Sequence, residues 1–99
     1  MDLTVGLHLY SVHFAEHGLD TVARASAATS GLGGRVLDAC PQARGVLTLS
    51  TCNRVEVYVD ARPGAEAAPI AGRVSDELGC APVAKFASEA IWHLFEVAA

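Results

Sequence analysis

The sequence has no apolar run that approaches the ~20 residues of a membrane-spanning helix. Its N-terminus also lacks the basic stretch leading into an apolar one that marks a secretory signal. Neither a span nor a signal peptide is expected. Positive charge is scarce: Lys85 is the single lysine beside six arginines, and the formal net charge is −4. Proteins that grip nucleic acid by its phosphates carry the opposite balance. Aromatics are only 6% of the residues, and the strand segments lack the paired rings of an RNA-stacking sheet. The three cysteines, Cys40, Cys52 and Cys80, are odd in number and have no paired spacing, which argues against a disulfide framework and for a reduced, cytoplasmic protein. His13 and His17 stand at i, i+4 and could be imagined with Cys52 or His93 as a zinc set, but there is no C-x-x-C and no His-Glu-x-x-His, and no metal is expected. Gly31-Leu32-Gly33-Gly34 lacks the G-x-G-x-x-G spacing and follows no strand, so it is not read as a dinucleotide loop.

What is present is an apolar but interrupted chain, 52% hydrophobic with a mean hydropathy of +0.33. Residues 1–99 suit one domain, able to bury roughly two thirds of its unfolded surface without staples. Leu3 to Tyr10 alternates as a strand, with Leu3, Val5, Leu7 and Leu9 on one side. A helix is predicted from about Leu19 to Ala28, with Leu19, Val22, Ala23 and Ser26 as its stripe. Ser30 to Gly34 reads as a break, and Arg35 to Cys40 as a further helical piece stopped by Pro41. Two strands follow, Gly45–Leu49 and Val55–Asp60, the second closed by Arg62-Pro63-Gly64. Pro69 to Leu78 is the next helix, with Pro69 at its first position, Ile70, Val74 and Leu78 on one face, and Gly79 as the stop. Val83–Phe86 is a short strand, and Ser88 can cap a last helix carrying Ile91, Leu94, Phe95 and Ala98. The order predicts an α+β fold: a ferredoxin-like βαββαβ antiparallel sheet with helices on one face, plus a C-terminal helix.

The chemistry concentrates between the two central strands, in Leu49-Ser50-Thr51-Cys52-Asn53-Arg54-Val55-Glu56-Val57-Tyr58. A cysteine retained for packing sits among apolar neighbours. Cys52 instead has hydroxyls before it and an amide and a guanidinium after it. A cationic neighbour favours the thiolate, the nucleophilic form. The bland alternatives are a half-buried loop cysteine, an Arg54 paired with Glu56 on the same strand face, and Thr51 and Asn53 that merely shape the turn. Cys40 and Cys80, at helix ends, read as packing residues.

The S-T-C-N-R-V-E-V-Y run resembles the active-site segment of glutamyl-tRNA reductases, and His93-Leu94-Phe95-Glu96-Val97-Ala98 is similar to their H-L-F-R-V-A motif. The resemblance implies a ferredoxin-like catalytic domain in which Cys52 attacks the ester of glutamyl-tRNA, releases tRNA and forms a thioester. NADPH then reduces the thioester to glutamate-1-semialdehyde, the first step of the C5 route to tetrapyrroles (porphyrins). It implies His93 as an acid/base or polarising residue and Arg54, Thr51, Asn53 and Ser11 as substrate contacts. The NADPH-binding and dimerisation domains of the family have no counterpart in residues 1–99, so this domain alone is expected to be at most a glutamyl-tRNA esterase. The implied partners are the acceptor end of glutamyl-tRNA, a second subunit of a homodimer and a glutamate-1-semialdehyde aminomutase. Three positions depart from the family: its histidine and basic residue are replaced by Leu9 and Tyr10, and its arginine by Glu96. Those departures sustain an alternative, a non-catalytic domain that binds a tRNA, an acyl group or a partner protein.

Overall fold

The computed structural model describes residues 6–86. The elements are β1 (Leu7–His13), α1 (Phe14–His17), α2 (Leu19–Ala27), α3 (Leu32–Ala39), β2 (Ala43–Ser50), β3 (Arg54–Ala61), α4 (Ala67–Leu78) and β4 (Val83–Phe86). The four strands form one sheet in the order β2-β3-β1-β4, with every neighbouring pair antiparallel. β1 and β2 therefore run parallel with β3 between them, and β3 and β4 run parallel with β1 between them. This is the split βαβ arrangement of the ferredoxin-like fold.

The helices cover one face of the sheet. Val55, Val57, Val59 and Ala61 of β3 and Tyr10 and Val12 of β1 pack there with Val22 and Ala25 of α2, Leu32 and Val36 of α3, and Ile70, Val74 and Leu78 of α4. Each fully buried valine or leucine contributes about 1.5–3 kcal/mol relative to exposure, enough to fix the register of β3. The opposite face carries a second cluster of Leu9 and Tyr58, flanked by Leu7 and Leu49.

Several boundaries differ from the sequence expectation. β1 continues through Ser11 and Val12 to His13, because it stays hydrogen-bonded to β3 from Leu7↔Asp60 to His13↔Arg54. The main core takes Tyr10 and Val12 from β1, the parity opposite to the leucines. In α2 the buried positions are Val22 and Ala25, while Leu19 is 61% exposed. The glycine-rich break is confined to the turn before α3, where Gly31 takes a left-handed conformation at φ 72°, and Gly33 and Gly34 are helical. α3 still stops before Pro41, with Cys40 extended at φ −121°, as a residue preceding proline prefers. α4 begins at Ala67, so Pro69 is the third helical residue rather than the first; its missing N–H still falls in the turn that has no intrahelical acceptor. Gly79 ends α4 in the left-handed region at φ 75°. The single turn α1 was not foreseen. Leu3, Val5 and the helix expected after Ser88 lie outside the described residues.

Candidate active site

The hairpin of β2 and β3 closes through Thr51, Cys52 and Asn53, directly after the Ser50↔Val55 pair. Thr51 organises the turn. Its backbone N–H donates to the Arg54 carbonyl at 2.9 Å. Its Oγ1 accepts from the N–H groups of Asn53 and Arg54, both at 3.3 Å. The hydroxyl thus uses its two lone pairs on the turn and keeps its O–H to donate elsewhere. Cys52 projects from this frame as an exposed free thiol, whereas Cys40 is buried. Two further ties hold the turn to the body. The Phe14 N–H donates to the Asn53 carbonyl at 3.0 Å, and the hydroxyls of Ser50 and Ser26 are 2.6 Å apart.

Register brings other polar groups to the same end. Arg54 faces His13 across the sheet and Glu56 faces Ser11, so Ser11 lies diagonal to Arg54, within reach of a long side chain. The ion pairs among the described residues are Arg35–Glu77, Arg44–Asp60 and Arg73–Glu77, which leaves the Arg54 guanidinium out of them. The solvated surface position considered for Glu56 is not the one the fold gives it. Glu56 is instead fully buried, in one row with Arg54 and Tyr58. Burial first, and then the Glu56 charge, push the Tyr58 hydroxyl up to about 12 against an opposing pull from Arg54.

Sequence reading missed the burial of Glu56, since its alternating position in a polar-faced strand resembles a solvated one. It also missed the corner after β1. There His13 Nδ1 accepts from the Ala15 N–H at 3.2 Å, and the His13 and Phe14 rings lie 4.9 Å apart, tilted by 32°. His17 is occupied within the fold, with Nε2 2.9 Å from the Ala81 carbonyl and Nδ1 accepting from the His13 N–H at 3.3 Å. Among the described residues, no three His, Cys, Asp or Glu side chains gather as metal ligands. His93 lies outside the described residues.

The described residues do not fit a dinucleotide either. Among the described residues the sheet holds no adjacent parallel strands, and Gly31 caps α3 while Gly33 and Gly34 lie within it, so these glycines do not follow a strand. A cleft of about 710 Å³ lies at the other end of the sheet, between the α3–β2 turn and α4, lined by Cys40, Gln42, Glu66, Ile70, Arg73 and Asp76 among others. Among the described residues, no helix is long and apolar enough to cross a membrane.

Fold and turn define a class: a split βαβ domain that presents one thiol at a hairpin tip, two residues before an arginine that enters none of the ion pairs of the described residues. Comparison with known proteins specifies it. The family described as glutamyl-tRNAGlu reductase, N-terminal domain, matches residues 11–99. A glutamyl-tRNA reductase of Cutibacterium acnes is 39% identical over 99 aligned residues, which cover 90% of this chain and 22% of that protein. The chain belongs to the glutamyl-tRNA reductase N-terminal domain family. It spans less than a quarter of the relative's length. The family match begins at Ser11, just after the segment in which Leu9 and Tyr10 depart from the family pattern, and both of those residues are fully buried.

Proposed function

We propose that this chain carries the acyl-transfer site of a glutamyl-tRNA reductase of tetrapyrrole biosynthesis. The Cys52 thiolate attacks the acyl carbon of the ester between glutamate and the terminal ribose of its tRNA. The carbon–sulfur bond forms, the carbon–oxygen bond to ribose breaks, and the ribose oxygen takes a proton as the tRNA leaves. His93 is the proposed proton donor. Arg54 receives a carboxylate of the glutamyl group in a two-pronged contact. Thr51 offers its remaining O–H, and Asn53 and Ser11 supply further polar contacts. Reduction of the thioester to glutamate-1-semialdehyde, with NADPH as the donor expected of the family, belongs to the proposed activity of the whole protein. The part proposed for this chain is formation of the thioester and, where water attacks it, release of free glutamate. A homodimer, an aminomutase partner and a reducing, cytoplasmic setting complete the proposal.

The observation that carries this reading is the exposed Cys52 on a turn fixed by Thr51, beside Arg54, in a member of this family. A binding module without turnover is the second reading. It is favoured by Leu9 and Tyr10, which are wholly buried and so serve packing where the family places polar groups. The deciding experiment incubates the chain with tRNA carrying labelled glutamate and quenches in acid, beside Cys52→Ser. Cys52-dependent trapping of label or release of free glutamate supports acyl transfer; neither, from folded protein, moves the balance to the binding module.

A further inference from the structure

Phe14 is 44% exposed although it directly follows a strand of the core. Its backbone N–H holds the Asn53 carbonyl, which places Phe14 beside the residue that follows Cys52. The His13 ring lies against the Phe14 ring at 4.9 Å, and the His13 Nδ1 is engaged by the Ala15 N–H, so the imidazole is fixed in place. Across the sheet from His13 stands Arg54, outside the ion pairs of the described residues. One end of the described residues thus brings a backed aromatic surface, the Arg54 guanidinium and the Cys52 thiol together.

The charge of the chain decides what that surface can do. At a formal net charge of −4, the domain cannot hold a polyanion by electrostatic attraction over its whole surface. Recognition of a nucleic-acid end then has to rest on local contacts. The strongest local contact for an unpaired base is an aromatic ring, because every base has a flat face and the interaction needs no charge. The ester proposed for Cys52 joins glutamate to the ribose of a terminal, unpaired nucleotide, so one ribose separates the base of that nucleotide from the reacting carbon. We infer that His13 and Phe14 form a stacking platform for the 3′-terminal adenine of the acceptor strand, with Phe14 in contact with the base and His13 backing it. The inference rests on the acyl-transfer reading and adds to it the means by which the leaving group is held. The platform sits at the strand-to-helix corner, where His13 ends β1 and Phe14 opens α1.

The test compares acylation of Cys52 by two small esters, glutamyl-adenosine and an alkyl ester of glutamate that has no base. The platform predicts that the ratio of the two rates falls about 5- to 150-fold in Phe14→Ala, the range expected for loss of one stacked base. It predicts the same fall in Phe14→Leu, which keeps apolar bulk, and recovery of the ratio in Phe14→Trp. A ratio that stays at the wild-type value in Phe14→Ala and Phe14→Leu overturns the inference, because a residue that only shapes the turn slows both esters alike. If wild type acylates with neither ester, the acyl-transfer reading fails and binding decides the platform separately. A CCA trinucleotide should then quench the indole fluorescence of Phe14→Trp more than that of wild type, and an otherwise identical oligonucleotide with an abasic 3′ end should not. Equal quenching by the two oligonucleotides, or none, overturns the platform.

Discussion

The two ends of the sheet each hold a cysteine, and they use it differently. At the hairpin end Cys52 is exposed on a turn whose backbone is fastened by Thr51, Phe14 and the Ser26–Ser50 pair. At the other end Cys40 is 6% exposed, caps α3 and lines a cleft of about 710 Å³ beside Ile70 and Arg73. The cleft lies away from the groups proposed for acyl transfer. On that proposal the domain presents its chemistry on a fastened turn and leaves the substrate to be enclosed from other sides. Concavity alone points to Cys40, the cysteine that the proposal does not use.

The largest effect that separates the ends is expected from the cysteines themselves. Cys52→Ser should reduce trapped glutamyl label to background while leaving the stability of the chain within ~0.5 kcal/mol, since an exposed turn residue contributes little to folding. Cys40→Ser should do the reverse, keeping acylation and lowering stability by about 1–3 kcal/mol, because a hydroxyl needs a partner in a buried site. Acid-quench labelling and denaturant melts of both variants check the pair. If Cys40→Ser lost label and kept its stability, the assignment of the two ends would be reversed.

Thr51→Val should produce a smaller change at the hairpin end. It removes the acceptor of two N–H groups that are open to water, so the fold should lose about 1 kcal/mol while acylation falls more than stability does. Equal acylation in Thr51→Val and wild type would show that the turn does not depend on its hydroxyl.

Toward the cleft end the expected effects are acid sensitivities. His8 is 6% exposed, 3.3 Å from the Tyr10 hydroxyl and edge-on to Phe86 at 5.0 Å. Burial lowers its pKa below the ordinary 6.5, so the folded chain holds it neutral. The unfolded chain binds the proton first, and stability should decline as pH falls below about 6.5 until the folded-state value is passed. His8→Phe should flatten that part of the stability–pH profile, measured by melts between pH 7 and 5.

Glu77 gives the smallest effect. A hydrogen bond from Arg35, with the charges of Arg35 and Arg73, holds its carboxyl below the usual carboxylate range. Its contribution is present above that range and lost as pH falls through the folded-state value; Glu77→Gln should shallow the acid limb below about pH 4.5 and change nothing at neutral pH. Neither His8→Phe nor Glu77→Gln should alter acylation at neutral pH, and a fall in either would couple the two ends.

Much of the fold was legible because its signals are local. The alternation of Val55, Val57 and Val59, the i, i+4, i+8 spacing of Ile70, Val74 and Leu78, and the stops at Pro41 and Gly79 all appear as read. Val83–Phe86 was placed without error. What escaped depends on tertiary pairing. Ser11 and Val12 carry no strong strand signal, yet β1 extends through them because β3 offers a partner as far as Arg54. Gly33 and Gly34 are poor helix formers, and packing of α3 onto the sheet overrides them. The site divides in the same way. Thr51, Cys52, Asn53 and Arg54 are contiguous and could be proposed from their run; Ser11, proposed through the resemblance, and His13 and Phe14, not proposed from the sequence as site residues, come near the turn only through the sheet register and a backbone bond. Glu56 shows the limit most clearly, because no single-strand pattern distinguishes a solvated carboxylate from one buried on a second face.

The most direct test of the central assignment is to locate the acyl group. The chain is incubated with tRNA carrying labelled glutamate, quenched in acid, digested at low pH and mapped by mass spectrometry. The account predicts glutamyl label on the peptide containing Cys52 and on neither Cys40 nor Cys80. Label on Cys40 or Cys80, or a folded chain with neither an acylated Cys52 nor Cys52-dependent release of glutamate, would contradict it.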